Sequence, residues 1–129
     1  MTAEKKWTAL IIDDEHDIVD LLSLFLEDHF EVTGITSPGD GLQLMQSQSY
    51  DLVITDFKME KIDGIEILNQ SLDDQPKAAK FLMSGAAIER NKLNSDLQKE
   101  IRIIEKPFHN PGELISDIVN TVKDKKKSA

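Results

Sequence analysis

The stretch LIIDDEHDIVDLL, Leu10–Leu22, decides the fold. Three aliphatic residues, Leu10, Ile11 and Ile12, run straight into the acids Asp13, Asp14 and Glu15. Apolar residues then recur at helical spacing, at Ile18, Leu21, Leu22 and Phe25. A short strand that is apolar at successive positions is buried on both faces, as strands of a parallel sheet are. A helix following at once is the first half of a βαβ unit. The acids at the junction pose a problem, because like charges crowded at a strand end repel.

The same alternation continues along the chain. Strands are expected over Thr8–Asp14, Phe30–Thr36, Tyr50–Phe57, Lys77–Gly85 and Ile101–Phe108. Helices are expected over His16–His29, Asp40–Gln48, Gly64–Leu72 and Ala86–Glu100, and from Pro111 onward, proline being favoured in a first turn. The last helix has a clear apolar stripe at Leu114, Ile115, Ile118, Val119 and Val122. The fourth has few large apolar residues (Ile88, Leu93, Leu97) and should be the least firmly held, since burial supplies most helix stability. Alternating strands and helices imply an α/β sandwich, a parallel sheet covered on both faces. No linker or internal repeat interrupts the 129 residues, which read as one domain.

Composition narrows the function. The formal net charge is −9, which disfavours direct binding to nucleic acid or anionic membrane. There is no cysteine, so neither disulfides nor thiolate metal sites are possible. His16, His29 and His109 lack zinc-like spacing. Near the start, the longest apolar run is Ala9–Ile12, too short for a signal or a membrane span, so a cytoplasmic location is expected. The lysines between Lys123 and Lys127 suit a helix C-terminus, where they offset the dipole.

In a parallel sheet all strands deliver their last residues to one edge, where ligands bind. The expected strand ends carry Asp13 and Asp14, Asp56, Ser84 and Lys106. Singly, each has a plain structural account, as a cap, a turn or surface charge. Jointly they describe a site. Clustered carboxylates without sulfur or histidine suit a hard cation, Mg2+ or Mn2+. An ammonium and a hydroxyl beside that cation suit a phosphoryl group. Asp56, between the acidic pair and the Ser/Lys pair, is the candidate nucleophile.

The motifs IIDDE, VITDFKMEKIDG, LMSG and EKPF, in that order, make the chain similar to the receiver domain of bacterial two-component response regulators, from about Trp7 to Val122. The resemblance implies a flavodoxin-like (βα)5 fold with strand order 2-1-3-4-5, an order also found in a family member that serves as a standard illustration of this fold. It implies phosphorylation of Asp56 by a sensor histidine kinase or a histidine phosphotransfer protein. Asp14 and Asp56 would bind Mg2+ directly, Asp13 through water, and Lys58 through its carbonyl; Ser84 and Lys106 would hold phosphoryl oxygens. A cis peptide is implied at Lys106–Pro107. Output to a downstream protein target would pass through the face of the fourth helix, fifth strand and fifth helix. With no output domain, the chain resembles single-domain chemotaxis and phosphorelay regulators. It would catalyse only its own phosphorylation and dephosphorylation.

The chain departs from the family pattern at three places. Ile103 stands where an aromatic is common, and a β-branched side chain cannot make a ring swing, so the expected switch rests on Ser84. Glu60 replaces a frequent proline. Lys58 and Ala86 stand where the family tunes dephosphorylation, and neither suits activation of water, so a long-lived phosphoryl group is expected. Two rival functions differ in class. A phosphorylation-independent pseudo-receiver would be a pure binding module, but such members usually lose part of the five-residue set. A haloacid-dehalogenase-type phosphatase would need a DxD motif where Asp13-Asp14-Glu15 stands. Repulsion among the acids should raise at least one carboxylate pKa and make the fold more stable with Mg2+.

Overall fold

The structure is a computed structural model that describes residues 6–85, 88 and 93–127. Its elements alternate as β1 (Trp7–Ile12), α1 (His16–Leu26), β2 (Phe30–Ile35), α2 (Pro38–Ser47), β3 (Leu52–Asp56), α3 (Gly64–Asp74), β4 (Ala79–Ser84), α4 (Ser95–Glu100), β5 (Ile101–Glu105) and α5 (Pro111–Lys127). The strands form one five-stranded sheet in the order β2-β1-β3-β4-β5. Every pairing is parallel. This is the expected flavodoxin-like order, and it reverses direction at β1 and β3, whose carboxyl ends carry Asp13 and Asp56.

The consecutive apolar residues of the strands serve two cores, because side chains alternate between faces. Ala9, Ile11, Leu52, Ile54, Phe81 and Met83 pack with Val19, Leu22 and Leu26 of α1 and Ile118 and Val122 of α5. Leu10, Ile12, Val53 and Leu82 pack on the other face with Met45 of α2, Ile67 and Leu68 of α3 and Leu97 of α4. The sandwich thus has three layers.

Most element ends fall within a few residues of expectation. α1 stops at Leu26 instead of His29, where the His29 amide donates to the Leu26 carbonyl at 3.0 Å. The expected helix over Ala86–Glu100 is corrected. Ile88 and Leu93 are not helical, and α4 starts at Ser95. The reason is local: Asn94 caps the helix by accepting from the Leu97 amide at 2.8 Å. Ala86, Ala87 and residues 89–92 lie outside the described residues. Leu93 and Leu97 are both buried, so they seat α4 and its approach on the sheet.

Two features of the edge opposite the strand ends were not expected. Lys80, in β4, is 1% exposed. Its ammonium is satisfied by the carbonyls of Gln75 (2.8 Å) and Ala78 (3.0 Å). Gln75, also buried, ties this corner together: its side chain accepts from the Tyr50 amide and donates to the carbonyls of Met45 and Gln48. The α5 lysines do more than offset a dipole, since Lys125 pairs with Glu100 at 2.5 Å and Lys126 pairs with Asp51. These pairs hold the last turns of α5 to the end of α4 and the start of β3.

Candidate functional site

Asp56 is the last residue of β3, and Ser84 is the last of β4. Asp13 and Lys106 each follow directly on a strand, β1 and β5. Parallel pairing therefore brings four separate segments to one edge. The Asp13 amide still donates to Ile35, and the Lys106 amide to Ser84 at 2.9 Å, so both flanking residues continue the ladder by one bond.

The Lys106 ammonium lies 2.8 Å from Asp13 Oδ2 and 3.0 Å from Asp56 Oδ1. Asp13 is fully buried, and its other oxygen accepts from the Glu15 amide at 2.9 Å as the chain turns into α1. Asp14 is exposed, yet one carboxylate oxygen from each of Asp13, Asp14 and Asp56 can lie within 4.8 Å of the others. Beside them is a cavity of about 240 Å³ lined by Glu15, Asp56, Phe57, Lys58, Ser84, Gly85 and Lys106. All six residues picked out in the sequence (Asp13, Asp14, Asp56, Lys58, Ser84 and Lys106) thus meet at one edge. Lys106–Pro107 is cis, as the resemblance implied. Ile103 is half-buried on β5.

Three residues of this edge stand in the motifs IIDDE and VITDFKMEKIDG without a role in the sequence reading. Glu15 lines the cavity, a place hinted at only by its adjacency to the acidic pair. The Thr55 hydroxyl donates to the carbonyl of Asp56 at 3.1 Å. The Gly64 amide donates to the Phe57 carbonyl at 2.9 Å, which folds α3 back on the end of β3. The Gly64 bond depends on how α3 meets the sheet, which no local pattern announces.

The electrostatics are unequal. Burial pushes the Asp56 carboxyl above its ordinary pKa; the Lys106 bond opposes that shift and the Asp13 charge adds to it. A raised carboxylate pKa was expected, but from repulsion, and burial is the larger cause. Burial by itself would lower the Lys106 pKa, yet its contacts to Asp13 and Asp56 outweigh that and raise it. The two shifts are compatible: the lysine sees two anions, whereas Asp56 sees one cation, one anion and little water. Between the ordinary carboxylate pKa and the raised one, the folded state holds the proton more tightly. Stability therefore falls as pH rises through that window and stays lower above it. Without divalent cations at neutral pH, Asp56→Asn is expected to melt higher than wild type, because the charge that burial disfavours is gone. A lower melting temperature for that variant would contradict the assignment of strain to the Asp56 charge.

Chemically, a converging group of oxygens with no sulfur fits a hard divalent cation, which prefers carboxylates and retains water. Mg2+ and Mn2+ both meet that description.

Comparison with known proteins agrees with this geometry. The model for the response regulator receiver domain matches residues 9–119. The response regulator receiver protein CpdR of Brucella abortus is 25% identical over 115 residues, 88% of this chain and 92% of that protein. A Rhizobium etli protein named "Probable chemotaxis protein CheY" is 34% identical over 117 residues, covering 84% of this chain and 87% of its own. The regulatory protein VanR of Enterococcus faecium is 29% identical, and the chain spans 51% of its length. Among solved structures, a CheY-like receiver domain protein from Methanospirillum hungatei superposes with a TM-score of 0.86 at 25% identity, over 97% of this chain and 100% of that one. No helix among the described residues is long and apolar enough to cross a membrane.

Proposed function

The chain belongs to the response regulator receiver domain family, and from that premise we propose that it accepts a phosphoryl group on Asp56 from a sensor histidine kinase or a histidine phosphotransfer protein. The observation that carries this reading is the Lys106 ammonium, 3.0 Å from Asp56 and 2.8 Å from Asp13, at the mouth of a cavity that also contains Ser84. A carboxylate with a fixed cation beside it and room in front of it can be both nucleophile and binding site.

In the proposed step an Asp56 carboxylate oxygen attacks phosphorus in line with the donor's imidazole nitrogen. The new O–P bond forms as the P–N bond breaks, and the bonding pair leaves with the imidazole, which takes up a proton. Lys106 balances charge that builds on the phosphoryl oxygens, and the Ser84 hydroxyl is the neighbouring donor. Asp13, Asp14 and Asp56, with the Lys58 carbonyl, would hold Mg2+, which when bound supplies positive charge shared between acid and phosphoryl oxygens. Hydrolysis of the acyl phosphate returns the acid. Lys58 lines the cavity and offers no general base, which favours slow loss; Ala86 lies outside the described residues. Signal would leave through the face of α4, β5 and α5 to a protein target.

The test is incubation with acetyl phosphate and Mg2+, followed by intact mass. Wild type should gain one phosphoryl group and Asp56→Asn none. Equal gain in both would place the phosphoacceptor at another residue, and no gain in either would favour a pure binding module; each would overturn the assignment. A second expectation concerns the ion alone. Mg2+ at ten times its Kd should stabilise the fold by about 1.4 kcal/mol, read as a rise in Tm that vanishes in Asp14→Asn. A Tm indifferent to Mg2+ would remove the metal from the proposal.

A further inference from the structure

We propose that Gly64 is a positioning residue for Asp56: its missing side chain lets the first turn of α3 lie directly on the Asp56 carbonyl. This rests on the reading of Asp56 as the reactive acid.

A Cβ at Gly64 would fall 2.1 Å from the Asp56 carbonyl oxygen, 2.9 Å from its carbonyl carbon and 2.8 Å from Leu82 Cδ1. Real Cβ contacts essentially never come under 3.0 Å, so something must move. The Leu82 methyl can swing aside at little cost. The Asp56 oxygen cannot, because it is main chain inside a sheet. That peptide is held on every side. The Thr55 hydroxyl donates to the same oxygen at 3.1 Å. The Phe57 amide donates to Met83 at 2.8 Å, and the Phe57 carbonyl accepts from Gly64 itself at 2.9 Å. On the helix side, α3 is pinned by its cap: Asp63 Oδ1 accepts from the Glu66 amide at 2.9 Å. It is pinned again by Ile67 and Leu68, both fully buried.

A side chain at position 64 therefore sets two firmly held parts against each other. The oxygen-to-Cβ gap must open from 2.1 Å to at least 3.0 Å, a movement of nearly an ångström. The Asp56 carboxylate carbon stands two bonds from the Cα that adjoins the displaced carbon, and its contact with Lys106 is only 3.0 Å long. A displacement of that size at a reacting atom is costly, since misplacement by about 1 Å can lower a rate about a hundredfold. Gly64 is not needed for a special backbone angle, as no glycine among the described residues has positive φ. Its role is to give room.

Gly34 supplies a matched control. A Cβ there would meet Val19 Cγ1 at 2.3 Å, nearly as close, but a side chain of α1 and not main chain. The experiment compares wild type, Gly34→Ala, Gly64→Ala and the double variant Gly64→Ala/Leu82→Val. Leu82→Val removes the methyl that position 64 would meet and leaves the Asp56 oxygen in place. Two readouts are taken under conditions where each protein is folded by its NMR spectrum: the rate of phosphorylation by acetyl phosphate, and Mg2+ affinity from amide shifts without any phosphoryl donor. Gly64→Ala should lose about tenfold or more in both, and Gly34→Ala less than about twofold. The double variant should regain stability and not the two functions. Recovery of function in the double variant would mean that crowding of the core was the whole effect, and would overturn the proposal. So would a folded Gly64→Ala with wild-type values, or failure of both position-64 variants to fold, which would make Gly64 a folding residue only. If wild type neither binds Mg2+ nor takes phosphate, the reading of Asp56 fails first, and that result is distinct from all of these.

Discussion

Lys106→Met is expected to destabilise the protein by about 3 kcal/mol without divalent cations, because removing one partner of a buried ion pair leaves uncompensated charge. Asp13 makes this cost large. It is fully buried, and its only cationic contact among the described residues is Lys106, at 2.8 Å. The lysine side chain is 14% exposed, which holds the figure to the lower end of the usual range. Asp56, already pushed up by burial, would be pushed further with its nearest cation gone. Two conditions should restore stability: Mg2+, which replaces the missing charge, and mild acid, which protonates Asp56, whose pKa is raised. Phosphorylation should remain slow even with Mg2+, by about a hundredfold, since the donor to the phosphoryl oxygens is lost. Urea titrations with and without Mg2+ measure the first effect and acetyl phosphate kinetics the second. A variant as stable as wild type in the absence of cations would show that Asp13 is not held by this lysine.

The second large effect lies at the opposite edge. Burial, helped by the charge on Lys125 and opposed by Glu100, lowers the Lys80 pKa to about 8. The unfolded chain keeps the ordinary lysine value of about 10.4, so above pH 8 it binds more protons than the folded state. Stability must then increase with pH, opposite to the habit of most proteins in alkali. Between pH 7 and 9.5 the gain should reach about 2 kcal/mol, as one pKa unit is worth about 1.36 kcal/mol. With no cysteine in the chain, no thiol titrates in that window. Tyr50, whose pKa burial raises, ionises higher still. Lys80→Met should abolish the slope, leaving a flat profile over the same range. A flat wild-type profile would show that the buried ammonium keeps its proton, and that the carbonyls of Gln75 and Ala78 compensate for the loss of water.

These two lysines differ in how far the amino-acid sequence foretells them. Lys106 follows an aliphatic strand and precedes a proline, so its place at the sheet edge is legible. Lys80 sits in KAAKFLMSG and looks like a flanking charge. Its burial depends on α3 ending at Asp74 and the turn through Gln75 and Ala78 presenting two carbonyls to it. The start of α4 is intermediate. Asn94-Ser95-Asp96 is a capping signal, but the apolar spacing of Ile88, Leu93 and Leu97 points to a longer helix. Tertiary packing used Leu93 as a buried approach residue instead, and the Asn94 cap set the boundary.

The amino-acid sequence by itself determined the alternation of strand and helix, the parallel sheet, and the identity of the acids, hydroxyl and lysine at its carboxyl edge. It could do so because periodicity and strand ends are local properties, and a parallel sheet converts strand ends into neighbours without further information. Only the tertiary structure decided that Lys106 bridges Asp13 and Asp56, that burial more than repulsion raises the Asp56 pKa, that Lys80 is enclosed, and that α3 rests on the Asp56 carbonyl at Gly64. Each of these depends on distances between elements far apart in the chain, set by the packing of two cores and written in no single segment.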